Sequence, residues 1–80
     1  MVKLKNIVIN GNIAKCDIYP EDSPANGSLE VDLQTREIKS YTLPVGYEWC
    51  ENHIAHAKNY LVEVSKSNNE ISTEKLIMWY

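Results

Sequence analysis

The sequence contains no phenylalanine and only one arginine, and its three glycines and two cysteines all stand apart from one another. Isolated glycines exclude a phosphate-binding loop, and Cys16 and Cys50 form no CxxC motif. No run approaches the roughly 20 apolar residues of a membrane span, and the N-terminal stretch lacks the apolar segment of a signal peptide. We therefore expect a cytoplasmic protein with no membrane partner, in which both cysteines are free thiols.

The charge is weakly acidic, with 8 basic and 11 acidic residues and a net charge of −3. No two basic residues are adjacent, whereas nucleic-acid binding requires a clustered positive field. We therefore predict no nucleic-acid partner. The 80 residues suffice for a single domain, residues 1–80, that buries roughly 63% of the surface of its unfolded chain. Such a chain has little room for a deep pocket beside its core, which disfavours an enzyme.

Residues 2–19 are typical of a β-hairpin around Asn10-Gly11. Two registers compete, a two-residue turn at Asn10-Gly11 and a three-residue loop over residues 10–12. The three-residue loop pairs Lys5 with Asp17 and gives a continuous apolar face, so we favour it. That face would comprise Val2, Leu4, Val8, Ala14, Cys16 and Ile18.

The remaining chain predicts three further strands and a helix. Residues 20–28, rich in proline and small polar residues, predict a loop, and residues 29–43 a second hairpin. Residues 48–66 predict the helix, and residues 74–80 a last strand, with a short helix beginning at Ser72 or Thr73 as the alternative. The predicted fold is α+β, a mostly antiparallel sheet of about five strands in the order ββββαβ, with one helix packed across one face.

The stretch WCENHIAHA, residues 49–57, concentrates potential chemistry. On a helical wheel Cys50 and His53 lie inside the apolar arc and His56 lies on its border beside Trp49. The interpretation we favour is a buried Cys50, a partly buried His53 with a local hydrogen bond, and His56 at the surface or an interface. Two alternatives remain: Cys50 and His53 as a catalytic thiol and its base, and Cys16, Cys50 and His53 as metal ligands.

Every aromatic residue is a tyrosine or a tryptophan, which are types enriched at interfaces. The closing apolar segment must be a central strand under the helix or be covered by a second subunit. We expect the latter, in a symmetric dimer, with Trp79, Tyr80, His56 and Trp49 as interface candidates. The sequence thus favours a non-enzymatic module without a cofactor that associates with itself or with an unknown protein. A small thiol-dependent enzyme or a metal-binding domain is the alternative.

Overall fold

A computed structural model describes residues 1–66 and 72–78 and has one antiparallel sheet and one helix over these residues. The elements are β1 (Val2–Asn10), β2 (Ile13–Pro20), β3 (Gly27–Asp32), β4 (Glu37–Thr42), α1 (Glu51–Ser65) and β5 (Lys75–Ile77). The sheet has five strands in the order β4-β3-β2-β1-β5. This arrangement confirms the predicted α+β fold and its ββββαβ order. No helix in the described residues has the length and apolar composition needed to cross a membrane.

The β1–β2 hairpin contains a β-bulge that the sequence did not indicate. Lys5 pairs with Asp17, as predicted, but the register shifts before Val8, and Asn10 pairs with Ile13 across a two-residue loop. Asn6 lies in the bulge with a φ of 55°. The extra residue reverses the alternation, so that Ile7 is buried (6% exposed) and Val8 is at the surface (58% exposed). The predicted apolar face and loop length were therefore wrong next to the turn.

The second hairpin is present as predicted, but the loop before it is shorter than predicted, because Pro20 belongs to β2 and Gly27 and Ser28 belong to β3. The loop between β2 and β3 covers residues 21–26, and Asp32 pairs with Glu37 across the β3–β4 turn. The Asp32 carboxylate accepts hydrogen bonds from the backbone N–H groups of Gln34 and Thr35, at 2.9 and 3.2 Å. This short acidic side chain thus closes the turn in the way typical of aspartate.

Helix α1 begins at Glu51, three residues after the predicted start. The residues before it form consecutive turns, in which Tyr47 N donates to Pro44 O and Cys50 N to Tyr47 O, both at 3.0 Å. Cys50 is the N-cap, without a side-chain capping bond. The helix packs on the sheet through its buried residues, which are His53, Ile54, Ala57, Leu61 and Val62. The core beneath it is formed by Val2, Leu4, Ile7, Ala14, Cys16, Ile18, Leu29 and Val31.

Strand β5 is an edge strand. It pairs antiparallel with the first residues of β1, Val2 opposite Ile77 and Leu4 opposite Lys75. Of the two predicted conformations for this segment, the strand is the observed one over the described residues 72–78. Within the described part of the sheet, β5 pairs with β1 and with no other strand. It is therefore not a central strand under the helix. Trp79 and Tyr80 lie outside the described residues.

Candidate functional site

Cys50 and His53 lie together at the N-terminal end of α1, against the loop that follows β2. Both are buried, and His53 Nε2 lies 2.9 Å from the Oε2 of Glu21. The Met1 ammonium group donates to the same carboxylate oxygen, and Glu21 N donates to Met1 O at 2.9 Å. The hydrogen bond predicted for His53 is therefore present, but its partner is distant in the sequence rather than local. Burial and the carboxylate together hold the imidazole in one position.

The backbone of the β2–β3 loop brings Glu21 into this position. Glu21 has a φ of 52°, a conformation that is costly for a residue with a side chain. The turn is fixed by Ser23 N, which donates to Pro20 O at 3.0 Å, and by Ser23 Oγ, which donates to Ala25 O at 2.6 Å. No pattern in the sequence indicates this contact, since an acid next to proline in a polar loop is ordinary.

The surroundings of Cys50 disfavour a reactive thiol. Burial raises the pKa of the Cys50 thiol, and the nearby Glu21 carboxylate raises it further, while the N-terminal ammonium group lowers it in part. The N-terminal end of a helix can stabilise a thiolate, but here the loss of solvent and the carboxylate have the larger effect. The hydrogen bond between Cys50 and His53 joins their backbones: His53 N donates to Cys50 O at 3.1 Å, within the first helical turn. These effects favour the protonated form of the buried Cys50 thiol.

The structure does not assemble the proposed metal ligands. Cys16 lies in the core of the sheet opposite Leu29, where burial, with a smaller contribution from Asp17, raises the pKa of its thiol to about 12. In residues 1–66 and 72–78, no group of three or more His, Cys, Asp or Glu side chains is arranged to hold a metal ion. Cys16, Cys50 and His53 thus do not converge on one site. Both cysteines are free, as predicted.

Residues 44–50 form a turn-rich segment, which we call the aromatic loop. Its Trp49 side chain is 67% exposed, stacks on Tyr47 with ring centroids 6.4 Å apart, and meets the His53 ring edge-on at 5.8 Å. Trp49 Nε1 donates to Gly46 O at 3.2 Å, and Tyr47 Oη donates to Asp22 Oδ1 at 2.9 Å. The prediction that Trp49 lies within the helix was wrong, because α1 begins after it. The loop presents a large, exposed aromatic ring in a fixed orientation.

A second exposed apolar surface lies on the β5 edge. Leu76 lies on β5 and is 47% exposed, and Met78, one residue beyond the strand, is 63% exposed. Of the predicted interface residues, Trp49 is exposed and His56 is half-buried on α1. Two surfaces, the aromatic loop and the β5 edge, are thus candidates for recognition.

No family model, no curated protein and no solved structure matches this chain. The geometry of these two surfaces alone therefore carries the functional interpretation.

Proposed function

We propose that this protein is a non-enzymatic module that associates with itself in the cytoplasm, and that two copies pair through the β5 edge. The observation that carries the proposal is the edge position of β5 together with the exposed Leu76 and Met78. An edge strand offers a row of backbone donors and acceptors to another strand, and these two side chains would lose part of their contact with water on pairing. The free, buried thiols Cys16 and Cys50 suit a reducing compartment.

The opposite edge of the sheet is less suited to pairing. Strand β4 has a register irregularity opposite Glu30 and Val31, and Lys39 on this strand lies 3.8 Å from the Glu30 carboxylate. A bulge and an edge lysine are both features that protect an edge from other strands. On β5 the one lysine, Lys75, places its ammonium group 5.8 Å from the centroid of the Tyr60 ring on the protein's own helix. Lys75 is therefore turned towards the helix, whereas Lys3 of β1 is the residue that pairs with Leu76.

A second copy of the chain is the occupant that fits an edge strand of this kind. Two identical strands pair antiparallel about a two-fold axis, so each copy gives and receives the same contacts. In such a pair, Leu76 and Met78 of one copy lie against the same residues of the other. A stable dimer of this type buries on the order of 1,200–2,000 Å² in total.

Sedimentation velocity over a dilution series tests this proposal. We expect the intact chain to dimerise and the Leu76→Glu and Met78→Glu variants to have dimer dissociation constants raised by about tenfold or more, because each places like charges together across the two-fold axis. Val45→Glu is the matched control, since Val45 is 93% exposed on the aromatic loop and lies outside β5. A chain that is monomeric at every concentration contradicts the proposal. So does a dimer that is weakened equally by Val45→Glu.

A further inference from the structure

The aromatic loop meets the β2–β3 loop at a surface to which neither loop contributes a lysine or arginine, although Lys3 and Lys5 of β1 lie beside Glu21 and Asp22. The chain has none between Lys15 and Arg36 and none between Lys39 and Lys58, so neither the β2–β3 loop nor the aromatic loop contains one. These two loops meet at the hydrogen bond from Tyr47 to Asp22. The charged side chains that the two loops and the first turn of α1 bring to this end are Glu21, Asp22, Glu48 and Glu51. The Met1 ammonium group is bound to the first of them.

The exposed ring of Trp49 stands in this acidic surrounding with its orientation already fixed. Its indole N–H is bonded to Gly46 O, and its ring contacts both Tyr47 and His53. The loop backbone is held in turn by Glu48, whose Oε2 accepts a hydrogen bond from Gly46 N at 2.9 Å. Because the ring is already ordered, little side-chain conformational entropy is lost when a partner binds to it.

We propose that the aromatic loop binds an arginine- or lysine-bearing segment of another protein, with a cationic side chain placed over the Trp49 ring and paired with Glu48 and Glu51. Indole is the aromatic ring that attracts a cation most strongly, and arginine is the cation most often found on such rings. Carboxylates beside the ring add charge complementarity, which gives specificity and a faster association rate. The same exposed tryptophan is the residue type that most often dominates binding energy at an interface.

The charges select this occupant over the others. A purely apolar partner would remove water from the carboxylates of Glu48 and Glu51 without replacing it by an opposite charge, which is costly. A nucleic acid would bring phosphates towards the same carboxylates. A second copy of the chain would have to present its own lysines or its arginine, and a dilution series of the protein alone identifies that case. The proposed contacts, with Trp49, Glu48 and Glu51, involve no residue of β5, so they do not require the dimer.

The test is a titration of the isotopically labelled full chain, followed by the NMR signals of its backbone amides and tryptophan indole groups. The probe is an acetylated and amidated peptide of alternating arginine and glycine. A peptide of the same length with citrulline in place of arginine keeps the shape and removes the charge. We expect the arginine peptide to shift the Trp49 indole signal, assigned through Trp49→Phe, and the amide signals of residues 45–52. The citrulline peptide should bind at least about tenfold more weakly.

Substitutions locate the binding site. Trp49→Ala should weaken binding of the arginine peptide by about tenfold, as should the double substitution Glu48→Gln with Glu51→Gln. Glutamine at position 48 retains an oxygen that can accept the hydrogen bond from Gly46 N. Tyr41→Ala, at another exposed aromatic residue on β4, and Glu37→Gln with Glu63→Gln, at two remote exposed acids, are the matched controls and should bind as the intact chain does.

Three results would overturn the inference. The first is equal binding of the two peptides, or no binding of either. The second is an affinity that falls equally in the control variants, which would indicate attraction to the acidic protein as a whole. The third is that the signals of residues 45–52 move on dilution of the protein alone, which would make a second copy the occupant. Binding that persists in Leu76→Glu, a variant made for the β5 dimer, shows that the two surfaces act separately.

Discussion

The Oε2 of Glu21 lies 2.9 Å from Nε2 of His53, and 32 positions separate the two residues in the chain. The contact joins the loop after β2 to the first turn of α1, next to the exposed ring of Trp49. The contact thus holds the N-terminal end of α1, which adjoins the aromatic loop, against the β2–β3 loop. An ionisable pair in which one partner is buried is also expected to contribute more to stability than a pair at the surface.

A double-mutant cycle measures this contribution. We expect Glu21→Ala and His53→Ala to be coupled by about 1 kcal/mol in the free energy of unfolding, measured by urea denaturation near neutral pH. The comparison pair is Lys15 and Glu30, whose charged atoms lie 3.4 Å apart on the open face of the sheet. Because water surrounds that pair, its coupling should be below about 0.5 kcal/mol. Equal coupling in the two cycles would show that the Glu21–His53 contact stabilises the fold no more than a surface pair does.

A second prediction tests the bulge in β1. Because Ile7 is in the core and Val8 is at the surface, Ile7→Ala should lower the free energy of unfolding by about 2–4 kcal/mol and Val8→Ala by less than about 1 kcal/mol. An uninterrupted alternation after Leu4 would give the reverse order, since Val8 would then point inward. Urea denaturation of the two variants decides between these registers. A larger loss of unfolding free energy for Val8→Ala than for Ile7→Ala would contradict the bulge.

The hairpins, the helix and the last strand could be predicted because each depends on local patterns. Alternation marks the strands, and one apolar arc marks the helix. The bulge could not be predicted, because Asn6 in a left-handed conformation leaves no mark in an alternating pattern until the pairing with β2 is known. The predicted start of α1 was three residues too early, because acidic residues at positions 48 and 51 are equally suited to the first turn of a helix.

The candidate site was only partly predictable for a related reason. Burial of Cys50 and His53 was predicted from their places on a helical wheel, and both are buried, although Cys50 is the N-cap of α1 rather than a helical residue. Their surroundings depend on Glu21, which a distant loop supplies. Long-range contacts of this kind have no spacing rule, so the raised pKa of Cys50 and the partner of His53 had to come from the structure.

A third prediction concerns Gly27, at the start of β3. A Cβ atom at this position would collide with the backbone carbonyl of Thr42 on the neighbouring strand. Gly27→Ala should therefore lower the free energy of unfolding by about 3 kcal/mol or more, because backbone atoms cannot move aside as a side chain can. At Gly46, which has a φ of 90° and open space around it, alanine meets only backbone strain and should cost about 1 kcal/mol. Thermal denaturation of both variants tests the order, and similar losses would contradict the close approach of β3 and β4.

The last prediction concerns the two buried thiols and pH. Since burial raises the pKa of both, few thiolates form in the native protein near pH 8, and a thiol reagent should modify Cys16 and Cys50 much more slowly in the native than in the denatured chain. Each cysteine is followed separately, in the background of a serine at the other position. A native Cys50 that reacts faster than the denatured one would restore the thiol-enzyme hypothesis.

The same pKa shift predicts a loss of stability at alkaline pH. The Cys16 thiol has a pKa of about 12 in the folded chain, against a reference value of 9.0. Below the reference value both states hold the proton, and above it the unfolded chain releases the proton first, so the contribution of Cys16 to stability falls as pH rises towards the folded pKa. The Cys16→Ala variant has no thiol at this position, so its stability does not depend on this ionisation. The stability difference between the intact chain and Cys16→Ala should therefore narrow between about pH 8 and pH 10.5 in urea denaturation. A difference that stays constant over this range would place Cys16 in contact with water rather than in the core.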